Sequence, residues 1–412
     1  MTRLGSSFGR GEGRRILLVL AAAHFLATAD RSMAAVFGPL LSREVGLDDA
    51  ALGVLLGPAF ALIYAPGALI GGRWPARSML IGCVAVWTLG HLIFAFGSDF
   101  GTLAAGRLVL GLGQAAFAPT ALAVIAASFA SEQRGRATSV FTSGSAMGRS
   151  GALLLGGVLL ALAAAWGLAA LSPWRVAALA FAIPNLVVLG LLAAWIPRGA
   201  ASVEDGGLRQ GLRRLVDRSS GLAPLALAGG FSVLMVQAGA AWAPSLLTRA
   251  TSLDAASGAL TAGWIVLVAA PVGHLAAGWL TDRLGVRGPR LTVAIGVALA
   301  LSGAALMSLN GPSVLLGYGL LTAGAGASAV ACLAAVIVRA PRETRRSVTA
   351  LYMTLTAVVG SALGPFLTGV ISEALGSGER LGDALLLVVG AAGCAAVGAL
   401  LLFGRAGGRP AP

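Results

Sequence analysis

The chain has 412 residues, 57% of them hydrophobic and only 11% charged, with a mean hydropathy of +0.88. A soluble protein carries about a quarter charged residues, so this composition excludes a soluble enzyme or binding module and defines a polytopic membrane protein. The net charge is +13, but all 29 basic residues are Arg and nearly all lie between apolar runs; that placement encodes membrane topology, not nucleic-acid binding.

The first apolar run covers 16–40 and contains His24, Asp30 and Arg31. Arg14 and Arg15 precede it, and Ala27-Thr28-Ala29 inside it imitates a leader cleavage site. The run continues past that site to Leu41, long enough to span, so it reads as a membrane helix and not as a leader. Runs at 51–71, 78–97, 102–129, 137–163 and 175–196 complete a first set of six. A polar segment, 198–221, carries Arg198, Arg209, Arg213, Arg214 and Arg218 and is expected to form a surface helix. Six more runs follow at 222–247, 257–280, 291–309, 313–338, 347–372 and 384–403. Each can cross a hydrocarbon core of about 30 Å, and each must be a helix because lipid offers no partner to unpaired backbone groups. The expected architecture is all-α: twelve transmembrane helices, with an N-terminal half over 1–197, a cytoplasmic linker over 198–221 and a C-terminal half over 222–412.

Alternate connecting segments differ sharply in Arg. One set holds most of them, whereas the other holds Arg43, Arg175, Arg249 and Arg380 together with Asp48, Asp49, Asp99, Asp254, Glu379 and Asp383. The positive-inside rule puts both termini in the cytoplasm. Cys83, Cys332 and Cys394 fall in separate runs and read as small packing residues, with no disulfide, metal site or other cofactor implied.

Asp30 is the one acidic residue well inside an apolar run. A buried charge needs a cavity and a partner. With a helical rise of about 1.5 Å per residue, Asp30, Arg107 and Arg149 fall near one depth, with His24 and Gln114 about 9–11 Å deeper. Gln114 is seven residues after Arg107 and shares its helix face. The expected cluster is therefore Asp30, Arg31, Arg107 and Arg149 above His24 and Gln114, with Asp30 paired to Arg107. Its cation excess suits an anionic headgroup, because a guanidinium fork matches carboxylate or phosphate. Asp30, with His24, is the expected proton-coupling group. Gln237 and Trp242 in span seven are expected to contact substrate from the apolar second half, and Gly364-Pro365 to break span eleven as a hinge. Asn185 reads equally as a hydrogen-bond donor or as helix-packing glue. His91 and His274 have no evident acidic neighbour in sequence and read as packing.

The two halves repeat weakly. Gly72-Arg73-Trp74-Pro75-Ala76-Arg77 follows span two, and Gly278-Trp279-Leu280-Thr281-Asp282-Arg283 follows span eight. The second resembles the signature loop of the major facilitator superfamily, as Arg107-Leu108-Val109-Leu110-Gly111-Leu112-Gly113-Gln114 resembles its span-four motif. Within that superfamily the chain is similar to bacterial spinster-like transporters, through Asp30-Arg31, Ala59-Phe60-Ala61-Leu62-Ile63-Tyr64-Ala65, Pro173-Trp174-Arg175, Ala241-Trp242-Ala243-Pro244 and Gly360 to Gly369. Two positions depart: Ala76 stands where the loop motif has Asp, and Gln114 where the family usually carries Glu. The resemblance implies alternating access, gated on the cytoplasmic side by Arg77, Asp282 and Arg283.

Together these readings describe a secondary active transporter, a monomer in the lipid bilayer, coupled to protons and moving an amphiphilic organic anion such as a lysolipid or sphingoid phosphate. A sugar-acid symporter and a multidrug exporter are alternatives within the class. A non-transporting receptor or lipid-handling protein is the alternative outside it. An enzyme is not expected, since no nucleophile–base, metal or phosphate-loop spacing occurs in the spans.

Overall fold

The computed structural model describes residues 10–67, 74–167, 171–198, 208–217, 220–309, 311–341, 343–376 and 378–406. The first half of the chain forms α1 (Arg10–Glu44), α2 (Asp49–Leu56), α3 (Pro58–Gly67), α4 (Ala76–Phe96), α5 (Phe100–Ala115), α6 (Phe117–Ser128), α7 (Ser131–Trp166) and α8 (Pro173–Trp195). A short helix, α9 (Leu208–Val216), precedes α10 (Leu222–Ala250), α11 (Ala255–Leu284), α12 (Gly288–Met307), α13 (Ser313–Arg339), α14 (Arg345–Gly376) and α15 (Leu381–Ala406). Among the described residues there is no strand. Eleven helical stretches are long and apolar enough to cross a membrane, and a shorter apolar one covers Asp49–Tyr64. That shorter stretch is the expected second span; its end, with Gly72 and Arg73 of the loop motif, lies outside the described residues. The polar linker contains α9, the expected surface helix, while 199–207 and 218–219 lie outside the described residues.

Two spans are interrupted where proline dictates. Pro119 cannot donate to the Ala115 carbonyl, and α5 gives way to α6 across Ala116. Pro58 opens α3 directly after Gly57 ends α2. Pro365, by contrast, lies inside an uninterrupted α14. The expected break of span eleven at Gly364-Pro365 is therefore corrected. Gly364 serves close helix approach: a Cβ there would lie 2.7 Å from the Leu234 carbonyl oxygen and 2.9 Å from Ala238 N on α10.

Helix starts outside the spans are capped by acids. Asp48, Asp99 and Asp254 accept from the backbone N–H of Ala51, Thr102 and Ser257 at 2.7, 3.0 and 2.7 Å. Those backbone N–H groups hold the Asp99 and Asp254 carboxyls below the usual carboxylate range.

By contact the chain forms two compact units, residues 1–36 with 59–205 and residues 37–58 with 206–412. In the first, α4 packs against α5, α6 and α8, and Trp87, Phe117 and Trp174 are almost fully buried. Gly113 lets α5 close onto α4, where a Cβ would strike the Trp87 backbone. In the second, α10 is central and packs against α13, α14 and α15.

Candidate functional site

The site of the first unit is built on Asp30, 1% exposed on α1. Its carboxylate is held by residues of α4 and α8. Asn185 Nδ2 donates to Asp30 Oδ2 at 2.7 Å, and Asn185 Oδ1 accepts from Trp87 Nε1 at 3.3 Å. His91 Nδ1 lies 3.0 Å from Asp30 Oδ1, within ion-pair distance though without an aligned hydrogen bond. The opposite ring nitrogen, Nε2, is 2.8 Å from the Ala178 carbonyl oxygen. Asn185, Trp87 and His91 are all 2% exposed or less.

Two expectations are corrected here. Asp30 was expected to pair with Arg107, and His91 to be a packing residue. His91 Nδ1 instead stands against one oxygen of Asp30, with Asn185 on the other. Arg107, 2% exposed, donates through Nη1 to the Arg31 carbonyl oxygen at 3.0 Å. That bond does place Arg107 at the level of Asp30, as helical rise predicts. The Arg31 and Arg107 guanidinium carbons lie 5.1 and 5.6 Å from the centroid of the Phe60 ring, so two cations share one aromatic side chain. Seven residues along α5, Gln114 donates to the Ala27 carbonyl oxygen at 2.7 Å. Arg107 and Gln114 thus grip α1 backbone carbonyls four residues apart.

His24 stands apart from this cluster. Its Nδ1 is 3.1 Å from the Phe141 carbonyl oxygen, and its ring stacks on Phe141 at 4.2 Å. Arg149 on α7 is partly exposed. Nearby, Ser145 Oγ lies 2.9 Å from Thr28 Oγ1.

In the second unit Gln237 donates to Ser361 Oγ at 2.8 Å. Trp242, expected at the substrate, is fully buried, and its indole N–H donates to the Pro365 carbonyl oxygen at 2.9 Å. It ties α10 to α14 and offers no open face, which corrects that expectation. Of the gating residues, Arg77 donates to the Ala193 carbonyl oxygen. Asp282 and Arg283 are exposed, with Arg283 5.0 Å from the centroid of Trp279.

A second polar cluster escapes sequence reading altogether. Asp49, 3% exposed at the start of α2, receives Arg249 through Nη2 at 2.6 Å and Nη1 at 2.8 Å, and Ser372 Oγ at 2.6 Å. Arg249 Nη1 also reaches the Gly378 carbonyl oxygen at 3.0 Å. Beside it opens a cavity of about 1050 Å³, lined by Arg43, Asp48, Glu373, Arg380 and Asp383 among others. The signal for His91 and Asn185 was the demand of a lone buried carboxylate for partners. Asp49 gave no comparable signal, since it neighbours Asp48 in what reads as a loop.

A family model described as Major Facilitator Superfamily matches residues 20–365. An "MFS-type efflux pump" of Mycolicibacterium smegmatis is 29% identical over 390 residues, covering 90% of this chain and 88% of that protein. A "probable sulfoacetate transporter" of Cupriavidus necator is 28% identical over 310 residues, 69% of this chain and 68% of its own. Among solved structures, a bacterial homolog of the human lysosomal transporter Spinster, inward-facing and unoccupied, superposes with a TM-score of 0.84. It is 19% identical and covers 98% of this chain and 100% of that one.

Proposed function

The chain belongs to the Major Facilitator Superfamily and is a multi-pass membrane transporter, and from that premise we propose that it carries an amphiphilic organic anion by proton-coupled alternating access. The observation that carries this reading is the pair of guanidiniums on Phe60. Arg31 and Arg107 converge there, while the one buried carboxylate of this unit, among the described residues, is committed to His91 and Asn185. Arg107 is buried and Arg31 half-buried, and an anionic headgroup is a fitting counter-ion for two guanidiniums gathered on one aromatic ring. Asp30 is the proton carrier; Arg31 and Arg107 bind the headgroup, with Gln114 and Arg149 lining its approach and Gln237 on the tail side. Lysolipids and sphingoid phosphates fit that division between charged head and apolar tail. The sulfoacetate transporter among the relatives is an independent reason to expect an anion.

In this reading the protein is a monomer in the inner membrane with both termini cytoplasmic. Residues 1–197 and 222–412 are its two halves, and Arg77, Asp282 and Arg283 are its gating residues.

The test is thermal unfolding of purified protein against lysophosphatidate, decanesulfonate, sulfoacetate and tetraphenylphosphonium. A ligand at about a hundred times its Kd stabilises by about 2.7 kcal/mol. Anions are expected to raise Tm, and Arg107→Ala to abolish the shift. The efflux-pump relative supports a second reading, drug export. Stabilisation by the lipophilic cation, with anions inert, would select it.

A further inference from the structure

Hydrogen-bond direction around Asp30 is fixed at both ends. An indole N–H only donates, so the Asn185 atom facing Trp87 is the amide oxygen, and the amide NH2 must face Asp30 Oδ2. A carbonyl only accepts, so His91 Nε2, facing Ala178 O, carries a hydrogen. A neutral imidazole has one N–H, and that one is used. Its Nδ1, with no hydrogen, would then stand 3.0 Å from Asp30 Oδ1, electron-rich atom against electron-rich atom, although the ring plane is not aligned on that oxygen. Two lone-pair atoms that close repel, most strongly where water is excluded. Moving the imidazole hydrogen to Nδ1 would only transfer the conflict, setting a bare Nε2 against the Ala178 carbonyl oxygen at 2.8 Å. One additional proton resolves the conflict, as imidazolium beside carboxylate or as imidazole beside carboxylic acid.

We infer that His91 and Asp30 hold one exchangeable proton between them, making His91 a second proton-carrying residue of the transport cycle. Its place in transport rests on the proposed role of Asp30; the shared proton is a property of the resting protein. Gln114 cannot substitute, because a neutral amide carries no exchangeable charge and its N–H is on the Ala27 carbonyl. The charged groups facing His91 are Asp30 on α1 and Arg107 on α5, with Arg31 on the same Phe60 ring as Arg107. Arg175 of α8 is tied to the Ala95 carbonyl, one turn along α4, at 2.9 Å. The neighbouring α6 brings no charged side chain.

The coupling has a defined sign. Each proton taken up adds one positive charge beside two guanidiniums. An anion binds the protonated cluster more tightly, and by reciprocity a bound anion draws the proton in. Coupling of that sign is co-transport of anion and proton in the same direction.

The chain has three histidines, so histidine-labelled protein in bilayers gives three imidazoles by solid-state nitrogen-15 NMR. His91→Gln, which keeps a donor for Ala178, assigns one of them; should it misfold, His24→Gln and His274→Gln assign it by elimination. The expected result is a His91 Nε2 that carries hydrogen and an Nδ1 that shares a proton, becoming a plain acceptor in Asp30→Asn. A plain lone-pair Nδ1 in the unsubstituted protein, or an Nδ1 signal unchanged by Asp30→Asn, overturns the inference.

Decanesulfonate keeps its charge at all working pH values and tests the coupling. Its Kd should tighten on acidification by up to about tenfold per pH unit, the limit for one linked proton. His91→Gln should flatten that dependence; an unaltered slope in His91→Gln counts against the inference. If decanesulfonate does not bind at all, the anion reading fails while the NMR result still decides the shared proton.

Discussion

Asp30 and Asp49 are buried to nearly the same degree, at 1% and 3% exposed, and satisfy their charge by opposite chemistry. Asp49 faces a guanidinium that never loses its proton, in a two-pronged grip reinforced by Ser372. Asp30 faces an imidazole, which titrates near neutral pH when unperturbed, and a neutral amide. A carboxylate locked to Arg is a fixed joint. A carboxylate opposite His can change charge without rebuilding its surroundings. Burial alone therefore does not distinguish the two acids; the protonation freedom of the partner does.

The largest expected effect tests the fixed joint. Arg249→Ala leaves Asp49 buried with Ser372 as its remaining side-chain donor. Breaking a buried pair costs about 3–5 kcal/mol, and because the Arg249 side chain is 31% exposed we expect the lower figure of about 2–3 kcal/mol. Thermal unfolding should show a clear loss of Tm, partly restored in the Asp49→Asn, Arg249→Met double variant. Equal stability of Arg249→Ala and the unsubstituted protein would mean that the joint is not fixed.

Asn185→Ala tests the switchable acid. It strips Asp30 Oδ2 and Trp87 Nε1 of their shared partner, at a cost of about 1–3 kcal/mol for the unsatisfied buried groups. Unlike Arg249→Ala, it should also shift the pH at which decanesulfonate affinity changes, because Asp30 then depends more on His91. A Tm loss with an unchanged pH profile would make Asn185 a purely structural residue.

A glycine in each region gives the next comparison. A Cβ on Gly113 would press on the Trp87 backbone, and one on Gly369 on the Asp49 carbonyl. Both substitutions to Ala overpack by about 1–3 kcal/mol. Gly113→Ala should also disturb the pH dependence of anion binding, since Trp87 orients Asn185 and Asn185 holds Asp30. Gly369→Ala should lower Tm alone.

Much of this was legible in the sequence. The spans follow from hydropathy, and the need of Asp30 for buried polar partners from its being a lone acid in an apolar run. Arg107 and Gln114 were placed on one face by their seven-residue spacing, and both do bond to α1 backbone. The identity of Asp30's partner was not legible. α4 is apolar on most of its circumference, so no amphipathic stripe fixes its rotation, and which of its residues faces α1 is set by packing at Gly106 and Gly113. Asp49 was hidden for a different reason. Asp48 and Asp49 are adjacent, yet the first is an exposed N-cap and the second points one helical step further round, into α10 and α14. That distinction depends on where α2 begins, which a Gly46-Leu47-Asp48-Asp49 string does not specify.

The smallest effect completes the series with an acid that is neither joint nor switch. Asp254 caps α11, and the Ser257 backbone N–H holds its carboxyl below the usual range. A lowered carboxyl stabilises the fold above the unfolded aspartate value of about 3.9, and loses that contribution as pH falls through its folded value. Asp254→Ala should cost about 1 kcal/mol or less near neutral pH, and nothing further in acid, where the unsubstituted cap is also lost. Its signature is a Tm difference that closes only on the far acid side. Should Asp254→Ala instead alter anion affinity near neutral pH, ordinary surface acids would contribute to the pH dependence, and the contrast between Asp30 and Asp49 would no longer account for it alone.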